Sequence, residues 1–174
     1  NAVIWPIRAT FLSMKIKIHS EINQISAKQW NLLLEDNNPF MRHEFLAALE
    51  NHGCVGPEFG WIPCHIGIYD DDDLIAAMPL YQKYNSYGEF VFDHAWADAY
   101  KRSGMQYFPK LVSSIPYTPA TGQRLLSNSE TPEEHYQILM QTVAQLATDN
   151  NFSSFHCLFP KSDQVDWLSS LNLN

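Results

Sequence analysis

Between Ser86 and Leu126 the chain gathers the residues best suited to chemistry. Asp93, His94 and Asp98 are its titratable candidates, and an imidazole such as His94 can take a proton near neutral pH. Arg124 could hold a carboxylate or phosphate through a bidentate contact. Around them stand Tyr87, Phe90, Phe92, Trp96, Tyr100, Tyr107, Phe108 and Tyr117, with Thr118 and Thr121 and almost no solvating charge. Apolar area with a few isolated polar groups is the composition of a pocket wall. Plainer roles compete with each of these. Asp93 would serve as a helix N-cap, His94 as a structural hydrogen-bonding group, and Asp98 as an i,i+4 partner of Arg102. The rings could be core residues whose polar tips are paired.

The elements that must position these residues can be read from pattern. Lys15 to Ile22 alternates as a strand. Ser26 caps a helix with Gln29 at the reciprocal position, and a second helix runs from His43 to Asn51 with Gly53 as its stop. Trp61 to Tyr69 and Leu74 to Tyr81 form a hairpin across Asp70-Asp71-Asp72-Asp73, with Pro79 marking a bulge or a free edge. Phe90 to Phe92 reads as a short strand, Ala95 to Ser103 as a helix closed by Gly104, and Lys110 to Ile115 as a strand between Pro109 and Pro116. Tyr117 to Gln123 is a loop. The helix after Thr131 has that residue as cap, Pro132 at its first position and Glu134 closing the box. Its Tyr136, Leu139, Met140, Val143 and Ala147 repeat on one face. Ser154 to Phe159 is an apolar strand of the type buried on both faces, and Ser162 starts a last short helix. Such alternation predicts a mixed α/β domain with a central sheet.

The chain has 174 residues with a net charge of −8. That length fits one domain and can bury roughly 70% of its unfolded surface. The acidic balance excludes an extended nucleic-acid surface, which needs clustered Lys and Arg. No apolar run is long enough to span a membrane. The three cysteines, Cys54, Cys64 and Cys157, lack a C-x-x-C spacing and fit reduced thiols of a cytoplasmic protein. Cys64 and His65 are adjacent in a strand and face opposite ways, so no metal site is expected there. The four aspartates lack the alternation of a calcium loop. Residues 1–13 read as a tag scar or extended N-terminal segment, with the domain over 14–174.

NPFMRHEFLAALE (38–50), GCVGPEFGWIPCH (53–65), AAMPLYQKYNSYGEFVFDHAWADAY (76–100) and YFPKLVSSIPYTPATGQRLL (107–126) resemble a bacterial family. It is the FemAB-like peptidoglycan biosynthesis/recognition family, within the acyl-CoA N-acyltransferase (GNAT) superfamily. The resemblance implies an α+β, GNAT-like fold with a mixed, mostly antiparallel sheet flanked by helices. It also implies two related halves, of which this chain matches the N-terminal one. The activity implied is transfer of an acyl or aminoacyl group from an activated carrier to an amine, such as one on a cell-wall precursor. The alternative is a non-catalytic module for glycan or peptide recognition or for assembly.

In that setting His94 and Asp93 are the candidate proton acceptors. Tyr87, Trp96, Asp98, Tyr100, Tyr117, Thr118, Thr121 and Arg124 are the candidate substrate-binding residues. No cofactor contact is expected in this half. Its seven glycines make no G-x-G pair, the element whose amides would hold a donor pyrophosphate. An acyl-CoA or aminoacyl-tRNA donor would then belong to the other half. The expected partners are a small-molecule or peptidoglycan-precursor substrate and either the C-terminal half or a second copy in a homodimer.

Overall fold

The structure, a computed structural model, describes residues 14–91 and 93–171. In chain order the strands and helices are β1 (Met14–His19), α1 (Ala27–Leu32), α2 (His43–Asn51), β2 (Trp61–Pro63), β3 (His65–Asp70), β4 (Asp73–Met78), β5 (Tyr81–Lys83), α3 (His94–Arg102), β6 (Lys110–Ser113), β7 (Leu126–Ser127), α4 (Glu133–Asp149), β8 (Phe155–Cys157) and α5 (Ser162–Ser170). This is the expected mixed α/β architecture. All the strand pairs are antiparallel except β6 with β8.

Instead of one central sheet there are two, ordered β1-β3-β4-β7 and β2-β5-β6-β8. The long hairpin runs through both and breaks at Cys64 on one arm and at Pro79-Leu80 on the other. Pro79 has no N–H for the ladder. The next donor, Leu80 N–H, leaves the ladder for His65 Nδ1 at 3.1 Å, while Cys64 N–H still reaches Leu80 O at 2.9 Å. At the other end Asp70 and Asp73 pair across the strands. Asp71, at φ 51°, and Asp72 make the turn, and aspartate tolerates that left-handed conformation better than most residues.

Two apolar clusters sandwich the first sheet. On one side Tyr69, Leu74, Ala77 and Leu126 meet Ile22, Ile25, Trp30 and Leu33, and Leu46 of α2. On the other, Ile66, Ile68, Ala76 and Met78 meet Tyr136, Leu139 and Val143 of α4. That second cluster continues onto Leu111 and Phe155 of the second sheet, with Trp167 and Leu168 of α5. Each large apolar side chain so buried contributes roughly 1.5–3 kcal/mol.

Local expectations fail where tertiary partners compete for the same donors. Ser26 Oγ does accept Gln29 N–H, at 3.4 Å, but the Gln29 side chain reaches over to Asp72 O and Asp73 Oδ1. Thr131 does not cap α4: its own N–H goes to Ser129 Oγ, and Pro132 takes the cap position with no side-chain cap bond. Phe90 and Val91 form no strand, and Phe92 lies outside the described residues. β8 is half-buried, not covered on both faces, because it pairs only with β6 at the end of its sheet. The two-residue β7 had no sequence signal.

Candidate functional site

In an antiparallel ladder directly opposed residues share a face. Trp61, Lys83 and Lys110 are aligned this way across β2, β5 and β6, as are Tyr81 and Val112. His156 of β8 is in register with Val112. This face of the second sheet therefore carries two lysines. Both are 0% exposed, an arrangement tolerated only with compensating charge.

The compensation comes from the segment between β5 and β6, which folds back over the sheet. Lys110 Nζ donates to Asp93 Oδ2 at 2.6 Å and to Glu89 Oε2 at 2.9 Å, and lies over the rings of Tyr107 and Phe108. Tyr107 Oη donates to Asp93 Oδ2 at 2.7 Å. Lys83 Nζ sits 4.0 Å above the Trp61 ring and donates to Asn85 Oδ1 and to Tyr87 O, at 3.0 and 2.9 Å. Trp61 Nε1–H reaches that same carbonyl at 3.0 Å.

These surroundings set the ionisation. Burial lowers Lys83 to about 8, against the attraction of Glu89 and Asp93. Burial raises Glu89, only partly offset by Lys110. At Asp93 burial pushes up, but donation from Lys110 and Tyr107, with Ser86 also favouring the charged form, wins and holds it at about 2. His156 falls to about 4, through burial and then the Lys110 charge, so it is neutral at pH 7.

Outside this polar layer the same segment shows rings to solvent. Tyr87 is 75% exposed, Trp96 67% and Phe90 54%. Gly88 makes the close approach possible: at φ 80° a Cβ there would lie 2.6 Å from the Tyr117 ring. Phe90 and Tyr117 also hold left-handed backbone, at φ 56° and 58°, which for bulky residues is a strained conformation found at binding sites.

The fold thus divides the expected site residues. Asp93 is buried in the lysine cluster. His94 begins α3, but its side chain lies outside the described residues. Tyr87 and Trp96 are on the outer face with Asp98, which makes no ion pair with Arg102 among the described residues. Tyr100 is half-buried with its ring 5.2 Å from that of Tyr107, and Tyr117 is 5.9 Å from Trp61. Thr118 turns its hydroxyl back to Pro116 O. Thr121 is exposed, its carbonyl held by Asn38 Nδ2.

Arg124 is elsewhere. It is 0% exposed and donates to Leu158 O, Gln123 O and Ala120 O. Burial brings it down to about 10. In this structure it ties the 116–123 loop to the segment after β8. Burial also pushes Cys157 up to about 12, which makes it a poor nucleophile.

Lys83, Lys110 and Glu89 had escaped sequence reading. Alternation alone could have placed Lys83 and Lys110 on the same face as Tyr81 and Val112, but their partners come from a segment with no periodicity. A cavity of about 180 Å³ lies apart from this site, lined by Ser20, Glu21, Glu50, Asn51, Val55 and Pro63. The two oxygens of its Glu50 are already taken by Ile22 N–H and His65.

The model of the FemAB-like family, described as peptidoglycan biosynthesis/recognition, matches residues 21–174. The chain belongs to the FemAB-like family. No similar curated protein and no similar solved structure was found. The family match covers the whole candidate site and every strand except β1. It associates this FemAB-like chain with peptidoglycan. Among its described residues no helix is long and apolar enough to cross a membrane.

Proposed function

We propose that this chain supplies the acceptor-binding wall of a FemAB-like acyltransferase. Its exposed rings would hold an amine-bearing cell-wall precursor while an acyl or aminoacyl group is passed to it. The observation that carries the reading is that Tyr87, Phe90 and Trp96 of the 84–108 segment are more than half exposed, while the Tyr87 carbonyl and the Glu89 and Asp93 side chains of the same segment are held from beneath. Large rings exposed on an anchored segment offer apolar area to a ligand, and the anchoring lowers the ordering cost of binding. The activated donor, acyl-CoA or aminoacyl-tRNA, falls in this reading to the second half expected from the family resemblance or to a second copy.

A specific observation favours recognition over chemistry for the described residues. Asp93, held at about 2, is too weak a base to take an amine proton efficiently near neutral pH. The reading is tested by calorimetry with a soluble disaccharide-peptide fragment of peptidoglycan. Binding is expected, and Tyr87→Ala and Trp96→Ala should each weaken it about tenfold, the scale of an aromatic hot spot. Absence of binding at millimolar fragment, or binding untouched by both substitutions, would overturn it.

A further inference from the structure

The segment over the second sheet is held by charge more than by apolar packing. None of the described residues between Gln82 and Lys110 belongs to the two apolar clusters above or to a third, formed by Val55, Trp61, Tyr81 and Val112. Beside backbone-carbonyl bonds from Trp61 to Tyr87 and from Tyr117 to Gly88, its charged side chains are tied to Lys110. The sheet contributes two cations, fully buried and directly opposed across β5 and β6. The segment contributes two anions, Glu89 and Asp93, which are 2% and 3% exposed.

The match is incomplete. Glu89 Oε1 is buried with no hydrogen-bond partner among the described residues, and Lys83 donates to neutral oxygens, Asn85 Oδ1 and Tyr87 O. Opposed strand positions have Cβ atoms about 5 Å apart, so two flexible lysine side chains can converge on one small anion. Trp61 and the Tyr107–Phe108 pair would wall such an anion off from water, where its attraction to the ammonium groups is stronger.

We propose that Lys83 and Lys110 form a binding site for a phosphate-type dianion, which the chain's own Glu89 and Asp93 occupy in this structure. The segment is then a strap whose carboxylates stand in for the ligand. A phosphate has more acceptor oxygens in a tighter cluster than the two carboxylates, one of which keeps an unpartnered oxygen, so it can displace them and lift the strap. This inference concerns the inner face of the segment. It does not depend on acceptor binding by the outer rings, and the variants that test the two do not overlap.

The test uses inorganic pyrophosphate and the full chain. Hydrogen exchange followed by mass spectrometry should show faster exchange over residues 86–108 when millimolar pyrophosphate is added, with the β3–β4 hairpin unchanged. By calorimetry, E89Q/D93N should bind pyrophosphate on the order of tenfold more tightly than wild type, since two competing charges are removed. Adding Lys83→Met or Lys110→Met to that variant should abolish the gain. An exchange pattern indifferent to pyrophosphate, equal affinity in folded E89Q/D93N, or a gain that survives both lysine substitutions would overturn the proposal. Should E89Q/D93N not fold, exchange in the wild-type chain decides alone.

Discussion

Trp30 and Lys110 are both fully buried, yet they close their regions by opposite means. Around Trp30 the first sheet is covered by apolar side chains, and the one polar atom of the ring, Nε1–H, is matched by Met41 O at 2.9 Å. Around Lys110 the second sheet is covered by a strap whose Glu89 and Asp93 pair with that lysine, with Glu89 Oε1 left over. Apolar burial is additive and tolerant of direction, so it can hold a whole layer. A buried ion pair owes most of its attraction to cancelling its own desolvation. It fixes one geometry strongly but adds little net stability, and so suits a segment that must be placed and also released.

The largest effect that sharpens this contrast is expected at Trp30. Trp30→Ala should cost about 5 kcal/mol in urea unfolding, the top of the range for a buried aromatic, since it leaves a cavity and an unpaired Met41 carbonyl. A loss below about 2 kcal/mol would mean the first sheet is not closed as described.

Next comes Lys110→Met, which strands Glu89 and Asp93 as uncompensated buried charges. It should cost about 3–5 kcal/mol, while K110M/E89Q/D93N, neutral and similar in shape, should return to within about 1–2 kcal/mol of wild type. Recovery in the triple variant is the signature that separates a charge clasp from ordinary packing. At Trp30 no partner substitution could give it.

A smaller effect is expected from pH. His156 is lowered to about 4, so the fold favours its neutral form. Its contribution is complete above the unfolded value near 6.5 and is lost as pH falls from there to about 4. Asp93 follows: its carboxyl is depressed to about 2, so its contribution is present above the unfolded value near 4 and lost as pH falls through about 2. Protection of the strap amides, relative to intrinsic exchange at each pH, should therefore fall on acidification before the first sheet unfolds. His156→Gln should flatten the stability profile between pH 6.5 and 4. Some slope will remain, because His19 and His135 are also lowered by burial. A strap that stays protected to the pH of global unfolding would erase the distinction between the two regions.

The same contrast explains which parts were legible in the sequence. The hairpin, α2 and the buried stripe of α4 announce themselves through periodicity, because apolar packing selects side chains by direction and direction follows the repeat of the element. The break at Pro79 was signalled, but not that His65 would take the orphaned Leu80 N–H and divide one sheet into two. Of the site, Asp93 and the ring-rich segment could be found by residue type. Lys83 and Lys110 could not, since a lysine in a strand ordinarily faces water, and only the returning segment turns these two inward. Arg124 was legible as a special residue but not as one surrounded by carbonyls, because Leu158 and Ala120 approach it only in the folded chain.

The smallest stability effect is expected on the outer face of the strap, and that is what makes it informative. Trp96 is 67% exposed and Tyr87 75%, and Tyr87 meets the sheet through its backbone carbonyl, not its ring. Trp96→Ala and Tyr87→Ala should therefore leave unfolding free energy within about 0.5 kcal/mol of wild type, even as they weaken peptidoglycan-fragment binding. Rings that add nothing to the fold, on a segment whose Tyr87 carbonyl and Asp93 carboxylate are anchored beneath them, are placed for a ligand. A stability loss above about 1 kcal/mol at either ring would instead make it part of the strap's packing, and the division between an inner face that clamps and an outer face that binds would no longer hold.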